Sequence, residues 1–175
     1  MTHRTDRAAR YRVSVSAEAT QRELRMCGFA LLHQYLAMHL VIAEHLQLEP
    51  VELLILIATT TGNVQRAVRP DALPEVLRGS TPLPPELIVP MSRRAIARVT
   101  GIPKETVRRH VDSMVRRGVL LSMPRGVRAR PGLADRTAMS AILRVVELHA
   151  ACTEQLIKLG AITTHPAGPA RSRRG

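Results

Sequence analysis

Three residues, Gly101-Ile102-Pro103, separate two stretches of helical periodicity and dictate what the middle of this chain can become. Glycine has the backbone freedom to end one helix, and proline cannot continue that helix but suits the entry to the next. Upstream, Ser92 is a candidate N-cap, and Ala95, Ile96 and Val99 form the expected buried face of a short helix. Downstream, a helix is predicted from Lys104 to Arg117, with Val107, Val111 and Met114 at i, i+4, i+7 on one face. The opposite face carries Glu105, Arg109, Asp112 and Arg116, flanked by Arg108 and Ser113. Gly118 is the expected left-handed residue after that helix. Two β-prone segments, Val119 to Met123 and Val127 to Arg130, then flank Pro124-Arg125-Gly126, a predicted hairpin with a basic tip.

Helix, tight turn, helix and hairpin together read as a winged helix-turn-helix. Ala97, Gly101, Pro103, the run Glu105-Thr106-Val107-Arg108-Arg109, Val111, Met114, Gly118 and Leu120 resemble bacterial winged-helix transcriptional regulators. The overall plan is most similar to the MarR type, in which helices before and after the winged helix form a dimer. The resemblance implies that the helix after the turn enters the major groove, a role carried here onto Lys104 through Arg116.

Roles for individual side chains follow from geometry. Lys104, Thr106 and the first amides of the second helix are expected to hold phosphates. Arg108 and Arg109 are candidates for guanine O6 and N7, and Glu105 for accepting from cytosine N4. Arg125, Arg128 and Arg130 on the wing are expected at the backbone or an adjacent minor groove, and Arg93 and Arg94 at phosphates. Ser113 and Arg116 complete the reading face. His110 is expected to pack at the edge of that helix.

Charge segregation points the same way. Of a net +12, the segment 92–136 carries +9, from 12 basic and three acidic residues, whereas 20–91 carries −2. A polyanion binder concentrates cations on the module that meets the polyanion. Arginine outnumbers lysine 24 to 2, and arginine pairs bidentately with phosphates and guanine edges.

The remaining chain is organised around that module. Residues 1–18 are polar and basic, expected as a flexible arm. Residues 19–70 form a helical region: one long helix from about Ala19 to Leu46, apolar on nearly all sides past Gly28, and a second from Val51 to about Arg69, entered at Pro50 and ended or kinked at Gly62-Asn63. A short chain has little with which to wrap such helices, so a homodimer interface is expected there. Residues 71–91 read as a Pro-rich connector with a short helical turn at Pro74 to Leu77, and 92–132 as the DNA-binding domain. A helix from Thr137 to Gly160, within 133–160, carries the stripe Ile142, Val145/Val146, His149, Cys152 and Leu156 and is expected to return to the N-terminal helices. The tail, 161–175, is expected to be disordered and basic.

With Phe29, Tyr11 and Tyr35 the only aromatics, the core must be aliphatic, and a mainly α fold with a small β-hairpin follows. Cys27 and Cys152 lie far apart, so neither a disulfide framework nor a zinc module is expected. His149 and Cys152, at i, i+3, have the spacing of two candidate metal ligands, without a visible third. No phosphate-binding, dinucleotide or nucleophile-elbow motif occurs, so no catalytic residue, metal or cofactor is assigned. No secretory signal is read at the start, and no apolar run is expected to approach the roughly 18 residues that span a membrane. The expected protein is a homodimeric, cytoplasmic, nucleoid-associated regulator binding double-stranded DNA. The alternatives are a regulator responding to a small-molecule effector in a pocket between its helical and DNA-binding parts, and a winged-helix protein-interaction module.

Overall fold

The structure, a computed structural model, describes residues 11–65, 83–131 and 136–166. It is mainly helical, with six α-helices and two small antiparallel sheets among the described residues. The chain divides into two compact units, 40–143 and 11–39 with 144–166.

The first unit is built on α3 (Pro50–Val64), α4 (Arg93–Thr100), α5 (Lys104–Arg116) and the hairpin β2 (Leu120–Met123) and β3 (Gly126–Ala129). Leu53, Ile55 and Leu56 of α3, Ile96 and Ala97 of α4, Val107, Val111 and Met114 of α5, and Leu120 and Val127 of the hairpin form one buried aliphatic cluster. The last residues of α2 (Leu24–Leu46), Ile42, Ala43 and Leu46, pack against it. The sequence grouped α3 with the dimerisation helices and began a separate domain at 92. The packing instead makes α3 part of the same core as α4 and α5.

Asn63 ties this unit together. Its Nδ2 donates to the carbonyls of Val89 (2.7 Å) and Val127 (3.4 Å), and its Oδ1 accepts from the amide of Ala129 (3.0 Å). Helix α3 ends at Val64, one residue beyond the Gly62-Asn63 pair at which the sequence ended or kinked it. Its expected continuation to Arg69 lies outside the described residues, as does the helical turn at 74–77. Within 83–91 a single 3-10 turn spans Pro85–Leu87. Met91 then exchanges two backbone hydrogen bonds with Val127, both 2.9 Å, adding a third extended residue beside the hairpin.

Sequence and structure differ in detail at the module's edges. Val99 is 63% exposed and Ala97 buried, so the inner face of α4 is Ile96–Ala97 rather than Ala95, Ile96 and Val99. The hairpin closes on the two residues Pro124 and Arg125, with Gly126 inside β3, paired to Met123. Gly126 has φ 146, and a β-carbon there would collide with the backbone of Met91 and Ser92, so the close approach of that segment to the hairpin requires glycine.

The second unit contains β1 (Tyr11–Val15), α1 (Ala17–Arg22), most of α2, the greater part of α6 (Arg136–Lys158) and β4 (Ile162–Pro166). Strand β1 pairs antiparallel with β4, Tyr11 opposite Pro166 and Val15 opposite Ile162. Residues 11–18 are thus strand and capped helix rather than flexible arm, and 162–166 is a strand rather than disordered tail. Residues 1–10 and 167–175 lie outside the described set. Ser16 caps α1, and Glu23 separates it from α2, so the expected single helix from Ala19 is two. Cys27 and Ala30 of α2 pack with Cys152 and Leu156 of α6 and with Ala161, placing the C-terminal helix against the N-terminal one as expected.

Little else of α2 is covered within the described chain. Leu24, Phe29, Leu31, Leu32, Tyr35 and Leu36 are all at least half exposed. By length and composition alone α2 could cross a bilayer: it has 23 residues and a mean hydropathy of 1.5 over an 18-residue window. That overturns the expectation that no segment approaches such a length. Interruptions by His33, Gln34 and His39 hid it as a run of letters, although the apolar residues around them dominate the average.

Candidate nucleic-acid interface

Helix α4 is capped at Ser92, whose hydroxyl accepts from the Ala95 amide at 3.2 Å, and it ends at Gly101, φ 72, whose amide donates to Ala97. Pro103 precedes α5 and offers no side-chain cap, so the first-turn amides of α5 have no side-chain acceptor. Between the outer face of α4 and this helix start lies an open cavity of about 540 Å³ lined by Ser92, Arg94, Ala95, Arg98, Ile102, Pro103 and Lys104. Arg98 was not among the sequence candidates; its i, i+4 relation to Arg94 is the signal that places both on one face.

Helix α5 turns Val107, Val111 and Met114 fully inward, which fixes its rotation and presents Lys104, Glu105, Arg108, Arg109 and Arg116 to solvent. Four charged groups are already engaged with one another. Arg108 donates through Nε and Nη2 to Glu105 (2.9 and 2.6 Å) and through Nη1 to Asp112 (3.2 Å). Arg93 at the start of α4 donates to Asp112 at 2.6 Å. The Arg108 bond holds the Glu105 carboxyl below its ordinary range, and the Arg93 bond does the same for Asp112. Arg108 is raised in turn, chiefly by its bond to Glu105.

Arg94, Arg98, Lys104, Arg109, Arg116, Arg125, Arg128 and Arg130 form no ion pair among the described residues. Arg125 is exposed at the hairpin tip. Arg128 is half-buried, with its Nε enclosed and unbonded, and Arg130 is exposed just beyond β3. Thr106 and Ser113 are half-buried on the flanks of α5. The sequence candidates thus belong to a single unit, with Arg93 committed to Asp112 and Glu105 to Arg108.

Behind α5, the buried Glu52 of α3 accepts two 2.9 Å bonds from Arg117 Nη1, and His110 Nδ1 stands 3.9 Å from it. His110 therefore lies at the back of the helix. This ion pair fixes the end of α5 to α3, a role the sequence did not reveal, because Glu52 and Arg117 are 65 residues apart. Elsewhere, His149 bonds to Gln34 and the Cys152 thiol donates to the Ala30 carbonyl. No group of three or more metal-ligating side chains gathers among the described residues.

Comparisons with models of known protein families, with characterised proteins and with solved structures find no match to this chain.

Proposed function

We propose that this chain is a winged helix-turn-helix protein that binds duplex DNA as a homodimer and regulates transcription in the cytoplasm, in the manner of the MarR-like bacterial regulators it resembles. The observation that carries the reading is the exposed cationic face of α5, set opposite three fully buried apolar side chains and beside a hairpin with Arg125 at its tip. The order α3, Met91 bridge, α4, α5, β2, β3 supports the winged-helix assignment. Lys104, Arg109 and Arg116 on α5, Arg94 and Arg98 on α4, and Arg125, Arg128 and Arg130 on the wing supply uncompensated charge to phosphates. The open cavity at the start of α5, with Arg94, Arg98 and Lys104 among its lining residues, offers a place for a backbone phosphate.

The uncovered apolar residues of α2 supply the surface for a second copy. A bilayer fits less well. Helix α6 packs on α2 at Cys152 and Leu156 and carries the exposed ion pairs Arg144–Glu147 and Lys158–Glu154 in the same unit. The test is selection of the full chain against a randomised duplex pool. Enrichment of a two-fold motif, with half-sites about one helical turn apart, is the expected result. Recovery of unselected sequence at background level contradicts the proposal.

A further inference from the structure

Two carboxylates stand on the face of α5 that would meet a polyanion. Glu105 and Asp112 are seven residues apart and so project within about 20° of each other, away from the core. Anions in that position oppose phosphate binding, and their presence calls for a compensating use. Arg108 lies between them, and both carboxylates draw its guanidinium onto the outward face.

Arginine has five N–H donors, and three of those on Arg108 are bonded to Glu105 and Asp112. The two left over are one on each terminal nitrogen, donors available to acceptors such as guanine O6 and N7. We infer that Arg108 is the specificity-determining side chain of the proposed interface, a guanidinium held in advance by Glu105 and Asp112 to read guanine in the major groove, with Arg93 as a positioning residue that secures Asp112. The inference rests on the DNA-binding reading and deepens it. It also replaces two sequence expectations, that Glu105 reads cytosine and that Arg93 contacts phosphate.

The four groups together carry no net charge, so they add nothing to the general attraction for a backbone. Arg109 and Arg116, which form no close ion pair among the described residues, carry that part. A side chain already fixed in one rotamer loses less freedom on binding than a free one, and the saving is realised only where the base matches. Held below the ordinary carboxyl range by their arginine partners, Glu105 and Asp112 stay ionised to lower pH than a free carboxyl would.

The experiment uses the full chain and the duplex motif it selects, with binding measured on matched and single-base-changed sites at several salt concentrations. Arg108→Ala is expected to reduce discrimination at one G·C pair per half-site by roughly 5- to 150-fold, with little change in salt slope. Arg109→Ala is expected to weaken all sequences alike and to lower that slope by about 1. Arg93→Ala should lower the same G·C discrimination by on the order of tenfold, beyond a smaller loss shared by all duplexes from the carboxylate charge it leaves uncompensated, and Arg93→Lys should restore part of both. Because Arg108 is more than half exposed, thermal unfolding of its variant should match the parent. Equal loss on every sequence for Arg108→Ala, or erasure of the guanine preference by Arg109→Ala, overturns the inference. Duplex binding with no base preference also overturns it while leaving DNA binding intact; no duplex binding at all removes the DNA-binding reading itself.

Discussion

Asn63→Ala is expected to destabilise the unit 40–143 by about 3 kcal/mol. The side chain is buried and bonds three backbone groups from two separate segments, the carbonyls of Val89 and Val127 and the amide of Ala129. Alanine takes this partner from the Val89 carbonyl and the Ala129 amide, while the Val127 carbonyl keeps its bond from Met91, and the penalty falls on the joint between α3, the segment entering α4 and the hairpin. A chemical-denaturation midpoint shifted down with an unchanged slope would show it. Asn63→Asp sharpens the test. A carboxylate there can still accept from Ala129, but its second oxygen faces the Val89 carbonyl. Its folded pKa is therefore raised, and stability relative to the parent is best below the ordinary carboxyl range and lost as pH rises through the shifted value. A midpoint indifferent to either substitution would mean that Asn63 does not hold the hairpin.

The second large effect concerns the proposed pairing of two copies. Leu32 and Leu36, 72% and 56% exposed, lie one turn apart on the side of α2 away from Cys27 and Ala30. Leu32→Glu with Leu36→Glu puts two charges per copy into that surface. Each leucine contributes on the order of 1.5–3 kcal/mol when buried between chains, so the dimer constant should rise by more than 100-fold. Helix content should stay constant, because both side chains are solvent-facing within one chain. Affinity for a two-fold DNA site should fall by roughly 10²–10⁴ as the two half-sites lose their linkage. Sedimentation of parent and variant decides it, and an unchanged mass would show that this surface does not join two chains.

How much of this was legible in the sequence depends on how local the determinants are. The caps and turn of α4–α5 are set by residues within four positions of one another, Ser92 with Ala95 and Gly101 with Ala97, so spacing sufficed to read them. The inward face of α5 was legible for the same reason. Partnerships over long separations were not. Asn63 with the hairpin and Glu52 with Arg117 span more than 60 residues, and nothing in composition announces them. The strand Tyr11–Val15 was missed because basic flanking residues masked the two-residue alternation of Val13 and Val15, and its partner, Ile162–Pro166, was hidden by a Pro/Gly-rich continuation. In the candidate interface the residue types were legible from charge and periodicity. Their engagement was not: Glu105, Arg108 and Asp112 share a stripe on any helical wheel, but Arg93 joins them only once α4 packs across α5.

The most direct test of the central claim is the salt dependence of duplex binding by the intact chain. A dimer placing six to ten cationic side chains at phosphates should lose roughly 10³–10⁵ in affinity between 50 and 200 mM salt, with log K falling linearly against log salt. Removal of Arg116 and Arg125 together should flatten that line by about two contacts per copy. A flat line for the parent, or one the two substitutions leave unaltered, would contradict the account.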